Sequence, residues 1–302
     1  YGQEFLSSKY LVVYESQGLA LGMVPLSLPG REKQNNLGGR QMARFLTIGE
    51  RIHVISPTIR KALEERNPEP ILKRAKEQID AGANYLDVNI GPADRDGEEL
   101  MPWVVKILQD EFPETPLCLD TANMKALEAG IKVYDRTAGK PIINSADAGP
   151  RLDMVNLAAE YDAIVIGLCA KEGIPRDNDE RIMYCTEILE RAMEAGLDQE
   201  NILFDPLFVV VKGMQDKQQE VLEAVRQISE MGLKTTGGLS NVSNGCPKEI
   251  RGLIEATFCA MAIQCGLTSA IINPLDKLVM DVIKTADLIK ERYLYADSYL
   301  EL

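Results

Sequence analysis

The amino-acid sequence predicts an α/β fold in which a single (β/α)8 TIM barrel occupies most of the 302 residues. Short β-rich runs alternate with helical runs from Met42 onward, which is typical of βα units and a parallel sheet. Eight such units follow one another, and a barrel of this kind takes about 250 residues. Two average domains are the alternative for a chain of this length, but the unbroken series favours one barrel.

The first four units run from Arg44 to Glu160. Their strands are RFLTIGERIHV, NYLDVNIG, PLCLD and PIINSA. We expect the helices that follow over residues 68–81, about 98–110, from near Asn123, and over about 151–160. In the first of these helices, Ile71, Leu72, Ala75 and Ile79 keep the spacing of one helical face.

The last four units complete the series. Their strands are DAIVIGLC, ILFDPL, KTTGGLS and SAIINPLD. A long helix carries Ile182, Cys185, Ile188, Leu189 and Ala192, and the remaining helices are expected over residues 217–231, 248–265 and about 277–292.

Residues 1–41 lack sustained periodicity and end in the polar run REKQNNLGGRQ. We interpret them as an N-terminal extension or an artefact of the assigned start site, and residues 42–302 as the barrel domain. A secretory signal is the alternative interpretation, but the sequence offers no persuasive cleavage site.

Composition argues against several classes of protein. Lys and Arg number 33 against 46 Asp and Glu, a net charge of −13 that would repel a nucleic acid. No run of eighteen apolar residues exists, so no membrane span is expected. The six cysteines form no CxxC pair, and Cys118 and Cys169 lie in apolar runs. Buried thiols in a cytoplasmic protein are therefore favoured over a disulfide scaffold.

Small polar residues stand where several of the apolar runs end. They are Asp87, Asn89, Asp120, Asn144, Asp205, Ser240 and Asn241. If each run is a strand of one barrel, these side chains meet at its C-terminal mouth, where such barrels keep their active sites. The resulting pocket would suit a flat heterocycle rich in amide groups.

Seven motifs in order carry a resemblance that spans nearly all of residues 42–302. They are IGERI, LDVNIGP, LCLDTAN, INSADA, KEGIPRD, FDPL and GLSNVS. In these motifs the chain resembles the methyltetrahydrofolate:corrinoid protein methyltransferases. The wider group, all pterin-binding barrels, includes dihydropteroate synthase and the folate-binding module of cobalamin-dependent methionine synthase.

The resemblance implies a methyltransferase of one-carbon metabolism or of O- or N-demethylation. The methyl group would move, in either direction, between N5 of tetrahydrofolate and the cobalt of a separate corrinoid protein. No DxHxxG stretch of the kind that holds cobalamin occurs in the sequence, so the corrinoid is expected on a partner protein. Relatives dimerise through helices on the side of the barrel, and a homodimer is expected here.

By resemblance, the pterin is contacted by Asp120, Asn144 and Asp205. The residue types fit, because one edge of a pterin carries buried N–H donors and an unsatisfied donor costs about 1–3 kcal/mol. Carboxylates accept hydrogen bonds from such donors, and an amide both donates and accepts. The alternative is that these residues merely cap the helices that follow them.

Asn241 is the expected catalytic residue. Cleavage of the N5–methyl bond requires N5 to leave as an amine, and by resemblance Asn241 hydrogen-bonds N5 and stabilises its protonated form. An amide is no general acid near neutral pH, so this help would be electrostatic and positional. The proton would come from solvent or from a network that includes Asp87 and Asn89. The alternative is that Ser240 or Asn241 is a helix N-cap.

Further residues are expected to support the site. Asn244 follows on the same loop, where some relatives carry Gln, and Arg251 would orient Asn241 or else pair with Glu249 or Glu255. His53 is expected at the pocket rim. No metal site is expected, because a single His lacks suitably spaced ligands.

Lys171 and Arg176 are candidates to bind the glutamate tail of a folate. The alternative is that they are loop charges exposed to solvent.

Two other functions stay open. Dihydropteroate synthase would need cationic residues near the ends of its seventh and eighth strands, where this sequence has GLSN and INP. A non-catalytic pterin-binding subunit would need only the acceptors for the pterin edge, so the presence of Asn241 argues against it.

Overall fold

The computed structural model describes residues 10–11, 24–25 and 44–301. The chain divides into two compact units, Tyr1–Gln41 and Met42–Leu302. In the first unit, Tyr10–Leu11 and Val24–Pro25 form a short antiparallel pair. The remainder of the predicted N-terminal extension lies outside the described residues, and its interpretation stays a prediction.

The second unit contains one sheet of eight parallel strands. In chain order they are β1 Leu46–His53, β2 Tyr85–Asn89, β3 Leu117–Asp120, β4 Ile142–Asp147, β5 Ile164–Leu168, β6 Ile202–Asp205, β7 Lys234–Thr235 and β8 Ser269–Ile272. Each strand is hydrogen-bonded to its neighbour in sequence, and β8 pairs with β1. This is the predicted (β/α)8 arrangement.

The sheet closes between β7 and β8, although β7 has only two residues. The Ile271 N–H donates to the Gly237 carbonyl at 3.0 Å, and Gly238 forms an isolated parallel bridge with Ile271. The segment KTTGGLS was expected to be a full strand. Beyond Thr235 it turns instead into a 3-10 helix over Leu239–Asn241, which ends the strand early.

The helices follow the predicted order with one addition. They are α1 Pro57–Glu64, α2 Pro68–Asp80, α3 Gly97–Glu111, α4 Met124–Val133, α5 Met154–Glu160, α6 Asn178–Ala195, α7 Gln218–Glu230, α8 Lys248–Cys265 and α9 Lys277–Ile289. The described residues therefore contain nine helices rather than eight, because α1 precedes the first predicted one. Proline at its N-terminus and burial of Ile59, Ala62 and Leu63 account for this short helix.

The core has an inner and an outer layer. Ile48, Cys118, Ile142, Ile166 and Leu203, from five different strands, form a buried cluster inside the barrel. Other strand residues, such as Val88, Leu119 and Val165, pack in a second cluster with helix residues such as Leu108 and Ile188. Both faces of the sheet are thus packed, which holds the strand ends in fixed positions.

Candidate active site at the C-terminal end of the barrel

The polar strand ends are brought together by the register of the sheet. Asn89 on β2 is aligned with Asp120 on β3, and Asp120 with Asn144 on β4. The Asn89 Nδ2 donates to Asp120 Oδ2 at 2.5 Å, and the Asn144 Nδ2 donates to Asp87 Oδ1 at 3.1 Å. Four predicted site residues therefore form two hydrogen-bonded pairs, Asn89 with Asp120 on adjacent strands and Asn144 with Asp87 across β3.

The two carboxyl groups in these pairs have raised pKa values. Burial raises the pKa of Asp87 well above its usual range, and the nearby Asp120 raises it further. Burial also raises the pKa of Asp120, to about 6, against the opposing effects of the Asn89 hydrogen bond and of Arg151. Asp87 therefore binds its proton more tightly than an ordinary carboxyl does, while Asp120 is mainly ionised at neutral pH and remains an acceptor.

Asp205 is the last residue of β6 and is buried. Its Oδ1 accepts a hydrogen bond from the Leu207 N–H at 2.8 Å, and among the described residues its Oδ2 has no partner. Burial raises the pKa of this carboxyl to about 7. One oxygen is thus used to shape the loop, and the other is available to a ligand.

None of these residues caps the helix that follows it. The N-cap positions of α4, α5 and α7 are Asn123, Asp153 and Lys217, rather than Asp120, Asn144 and Asp205. The N-cap position of α8 is Pro247, which leaves both Ser240 and Asn241 outside that role. The alternative explanation of the polar strand ends as helix caps is therefore wrong.

Asn241 ends the 3-10 helix Leu239–Asn241, and its side chain is exposed. Its amide lies against Gly238, where an added Cβ would come within 2.9 Å of Nδ2. A glycine at position 238 therefore leaves room for the Asn241 amide beside the backbone. The exposed amide is free to meet a ligand.

Two carboxyl groups hold the loop that carries Asn241. The Ser240 Oγ donates to Glu50 Oε2 at 2.9 Å, and the Ser243 Oγ donates to the buried Glu255 on α8. Burial raises the pKa of both carboxyls, that of Glu50 to about 7. Sequence reasoning missed Glu50 because it stands inside β1 rather than at its end; a charged residue within the apolar run LTIGERIH is the signal that could have identified it.

The other predicted residues occupy more peripheral positions. Asn244 is exposed, and its backbone N–H donates to the Asn241 carbonyl at 3.2 Å. The Arg251 Nε donates to the Cys246 carbonyl at 2.8 Å, so Arg251 is held to the backbone of the loop. His53 ends β1 in register with Asn89, and burial lowers its pKa.

Lys171 and Arg176 lie near acidic side chains. Lys171 Nζ is 3.6 Å from Glu187 Oε2, and Arg176 Nε is 3.3 Å from Glu180 Oε1. Their contact with a folate tail stays a prediction.

Within residues 10–11, 24–25 and 44–301, no group of three or more His, Cys, Asp or Glu side chains could hold a metal ion. In the same part of the chain, no helix has both the length and the apolar character that a membrane span requires.

Arg181 on α6 holds the backbone of Pro206, the residue that follows Asp205. It is fully buried, and its Nε donates to the carbonyl of Pro206 at 3.0 Å. Its Nη1 donates to Asn178 Oδ1 at 3.1 Å and to the Glu220 carboxylate. The guanidinium therefore ties α6, α7 and the residue after Asp205 together.

Replacing Arg181 with Lys is expected to lower the free energy of unfolding by about 1–3 kcal/mol, since a single ammonium cannot replace this planar set of donors. Urea denaturation would measure the change. Arg191→Lys is the matched control, because Arg191 lies on the same helix but pairs with the exposed Asp153. Equal effects of the two substitutions would contradict the assigned role of Arg181.

The raised pKa values also predict how stability depends on pH. Glu50, Asp87, Asp120 and Asp205 bind protons more tightly when folded than when unfolded, so the stability they contribute is lost as pH rises through their folded pKa values. Between pH 5.5 and pH 8 the free energy of unfolding should fall, by about 2 kcal/mol from Asp205 alone.

Urea denaturation without folate at several pH values would test this dependence. Asp205→Asn should reduce it, because the amide does not titrate. Stability that rises from pH 5.5 to pH 8 would contradict the expectation.

Comparison with known proteins places the chain among characterised relatives. The family model described as "Pterin binding enzyme" matches residues 56–273. The methylcorrinoid:tetrahydrofolate methyltransferase of Eubacterium limosum is 29% identical over 251 residues, covering 80% of this chain and 90% of that protein. Methionine synthase of Mycobacterium tuberculosis is 29% identical over 261 residues, which cover 80% of this chain but 21% of that larger protein.

Solved structures with the same fold include two dihydropteroate synthases. The enzyme of Xanthomonas albilineans, with 4-aminobenzoic acid, has a TM-score of 0.65 at 20% identity. The match covers 82% of this chain and 94% of the Xanthomonas albilineans chain. The enzyme of Yersinia pestis, with a pterine-sulfa conjugate, has a TM-score of 0.63 at 17% identity. The match covers 83% of this chain and 94% of the Yersinia pestis chain. These similarities confirm the predicted barrel fold.

Proposed function

The chain belongs to the pterin-binding enzyme family, and on that premise we propose that it transfers a methyl group between N5 of a tetrahydrofolate and the cobalt of a separate corrinoid protein. The observation that carries the proposal is the set of acceptor side chains at the strand ends, at the same end of the barrel as the exposed amide of Asn241. The 29% identity to a methylcorrinoid:tetrahydrofolate methyltransferase, over 90% of that protein, supports it.

The pterin would bind by its hydrogen-bonding edge. Asp205 Oδ2 is free to accept a donor from that edge, and Asp120 keeps Oδ1 available while Asn89 occupies Oδ2. The amide nitrogen of Asn144 donates to Asp87, and its amide oxygen is free to accept a hydrogen bond from the ligand. Each of the three proposed contacts therefore has a free acceptor atom, and donors on the ligand would be satisfied when buried.

Asn241 would act at the atom that gains or loses the methyl group. N5 must carry a proton to leave as an amine, and a neutral amide oxygen stabilises such an N–H by accepting its hydrogen bond. The displacement itself needs close, aligned reactants, so the protein contributes mainly by positioning them. The same groups serve both directions of transfer, since the transition state is shared.

The exposed position of Asn241 fits a second macromolecular substrate. A corrinoid protein would have to bring its cobalt to N5 across the open end of the barrel, where Asn241 and Asn244 are exposed. We propose a corrinoid protein as the partner on this ground and because the relative from Eubacterium limosum is a methylcorrinoid:tetrahydrofolate methyltransferase.

Incubation with 5-methyltetrahydrofolate and reduced cobalamin, followed by the cobalt absorption spectrum, tests the proposal. Methylation of the cobalamin at a rate proportional to protein concentration is the expected result. A protein that binds the folate, as shown by calorimetry, but leaves the cobalt spectrum unchanged even with added corrinoid protein would overturn the proposed activity.

Dihydropteroate synthase is the second candidate, because the matching solved structures include enzymes with this name. Their identities of 17–20% support the fold alone. We expect no dihydropteroate from a pterin pyrophosphate and 4-aminobenzoate, which chromatography of the products would detect.

We also propose that the protein is a homodimer. The groove between α7 and α8, about 480 Å³ in volume, is lined by Leu222, Leu253, Ile254, Phe258 and Met261, among others. Leu253 and Met261 are 61% and 42% exposed, so a second copy packed on these helices would cover apolar surface. Light scattering that gives the mass of one chain would refute the dimer.

A further inference from the structure

Glu50 and Ser240 connect the first strand to the loop that carries Asn241. They are 190 residues apart in the chain, and the Ser240 Oγ donates to Glu50 Oε2 at 2.9 Å. This is the one side-chain hydrogen bond of Glu50 within residues 44–301, and Ser240 directly precedes Asn241. The contact therefore joins a carboxyl group to the part of the site where methyl transfer is proposed.

The surroundings of Glu50 favour its neutral form. Burial raises its pKa to about 7, and the hydrogen bond from Ser240 opposes this. Of the charged neighbours, Glu255 on α8 raises the pKa and Arg51 lowers it. Asp87 on β2 is a third carboxyl close enough for Glu50 to raise its pKa. Near pH 7 the group can thus both hold and release a proton.

The proposed reaction requires such a group. Asn241 is an amide and cannot supply the proton that N5 needs before it leaves. A serine hydroxyl can donate one hydrogen bond while it accepts another. When Glu50 is protonated, its O–H can donate to Ser240 Oγ, which reverses the hydrogen bond of the structure and leaves the Ser240 O–H to donate to N5. Ser240 is hydrogen-bonded to the carboxyl of Glu50 and directly precedes Asn241, the residue proposed to contact N5.

We propose that Glu50 stores the proton for methyl transfer and delivers it to N5 of the bound folate through the hydroxyl of Ser240. This inference rests on the proposed function. Glu50 acts through Ser240 and is in that sense a positioning residue, whereas Ser240 would touch the folate.

The proposed step moves one proton. The Ser240 O–H bond breaks as N5 gains a proton, and the Glu50 O–H bond breaks as Ser240 regains one. A carboxylate is left at Glu50, which takes up a proton from water. The N5–methyl bond then breaks with its electron pair on N5, and the methyl group goes to the reduced cobalt. In the reverse direction the Glu50 carboxylate accepts the proton.

Glu50→Gln is the direct test, because the amide still accepts a hydrogen bond from Ser240 but has no proton to give. With 5-methyltetrahydrofolate and reduced cobalamin, single-turnover methyl transfer at pH 7 should slow by about 100-fold. The dissociation constant for 5-methyltetrahydrofolate should stay within about twofold, since the pterin contacts are untouched.

The pH profile separates a proton role from a structural one. In the wild-type protein, methyl transfer from the folate should decline as pH rises through about 7, and Glu50→Gln should lack this inflection. Glu255→Gln is the matched control, because it removes the other buried carboxyl that holds this loop. It should keep the inflection and shift it to lower pH, since Glu255 no longer raises the pKa of Glu50.

Ser240→Ala gives an independent test if Glu50→Gln fails to fold, which circular dichroism would show. It should slow transfer as Glu50→Gln does, and the double variant should be no slower than either single one, because the two residues act as a unit. A wild-type pH profile in folded Glu50→Gln or Ser240→Ala would overturn this inference alone. Absence of methyl transfer by the wild-type protein would overturn the proposed function as well.

Discussion

Replacing Asn241 with Ala is expected to lower the rate constant of methyl transfer by about 100- to 1,000-fold, the usual effect of removing one group that stabilises transition-state charge. Affinity for 5-methyltetrahydrofolate should change by less than about twofold. The reason is that Asn241 is proposed to contact N5, whereas Asp120, Asn144 and Asp205 are proposed to hold the opposite edge of the pterin. Single-turnover spectroscopy of the cobalt and calorimetric titration of the folate would give the two quantities separately.

Asn156→Ala is a matched control for this experiment. Asn156 is an amide on α5 that donates to the exposed Asp153 and takes no part in the contacts of the strand ends. Its loss should leave both rate and affinity within about twofold of the wild-type values. Unaltered turnover in Asn241→Ala would remove the assigned catalytic role, and loss of folate affinity would make Asn241 a binding residue instead.

Replacing Asp205 with Asn is expected to weaken folate binding by about 10- to 100-fold. A hydrogen bond to a charged group contributes about 1.5–3 kcal/mol, and the new amide would also turn N–H donors toward donors of the pterin. The same substitution should stabilise the protein without folate at pH 8, because it removes a buried carboxyl whose pKa is raised to about 7. Weaker binding together with higher stability would distinguish loss of a contact from damage to the fold.

Calorimetric titration and urea denaturation would measure these two effects. Asp198→Asn is the matched control, because Asp198 is exposed and accepts a hydrogen bond from the backbone N–H of Glu200 before β6. It should leave folate affinity unchanged. If Asp205→Asn bound folate as well as the wild-type protein, Asp205 would not contact the pterin edge, and the proposed orientation of the ligand would be wrong.

The elements of this fold differed in how well they could be predicted from the sequence. Most strands were predictable because they are short apolar runs bounded by polar residues, and α8 begins and ends at the predicted residues. The helix α1 was missed because its eight residues carry only three buried side chains, too few for a clear periodic pattern. The shortness of β7 was missed because the segment KTTGGLS, expected to be one strand, contains the start of a 3-10 helix.

The candidate site shows the same division. Asp120, Asn144, Asp205 and Asn241 were identifiable, since each is a small polar residue that follows an apolar run within a recognisable motif. Glu50 was not, because a glutamate inside a strand looks like a solvated side chain until its neighbours are known. Its partner Ser240 belongs to a loop 190 residues away in the sequence.

The sequence by itself therefore determined the class of fold, the order of its elements and most of the polar residues at the barrel mouth, because these depend on local patterns along the chain. Tertiary structure alone decided which of those residues pair, and how strongly each carboxyl holds its proton. Pairing depends on strand register, which aligns Asn89 with Asp120 and Asp120 with Asn144. Proton affinity depends on burial, and the burial of Glu50 depends on packing between segments that are distant in the chain.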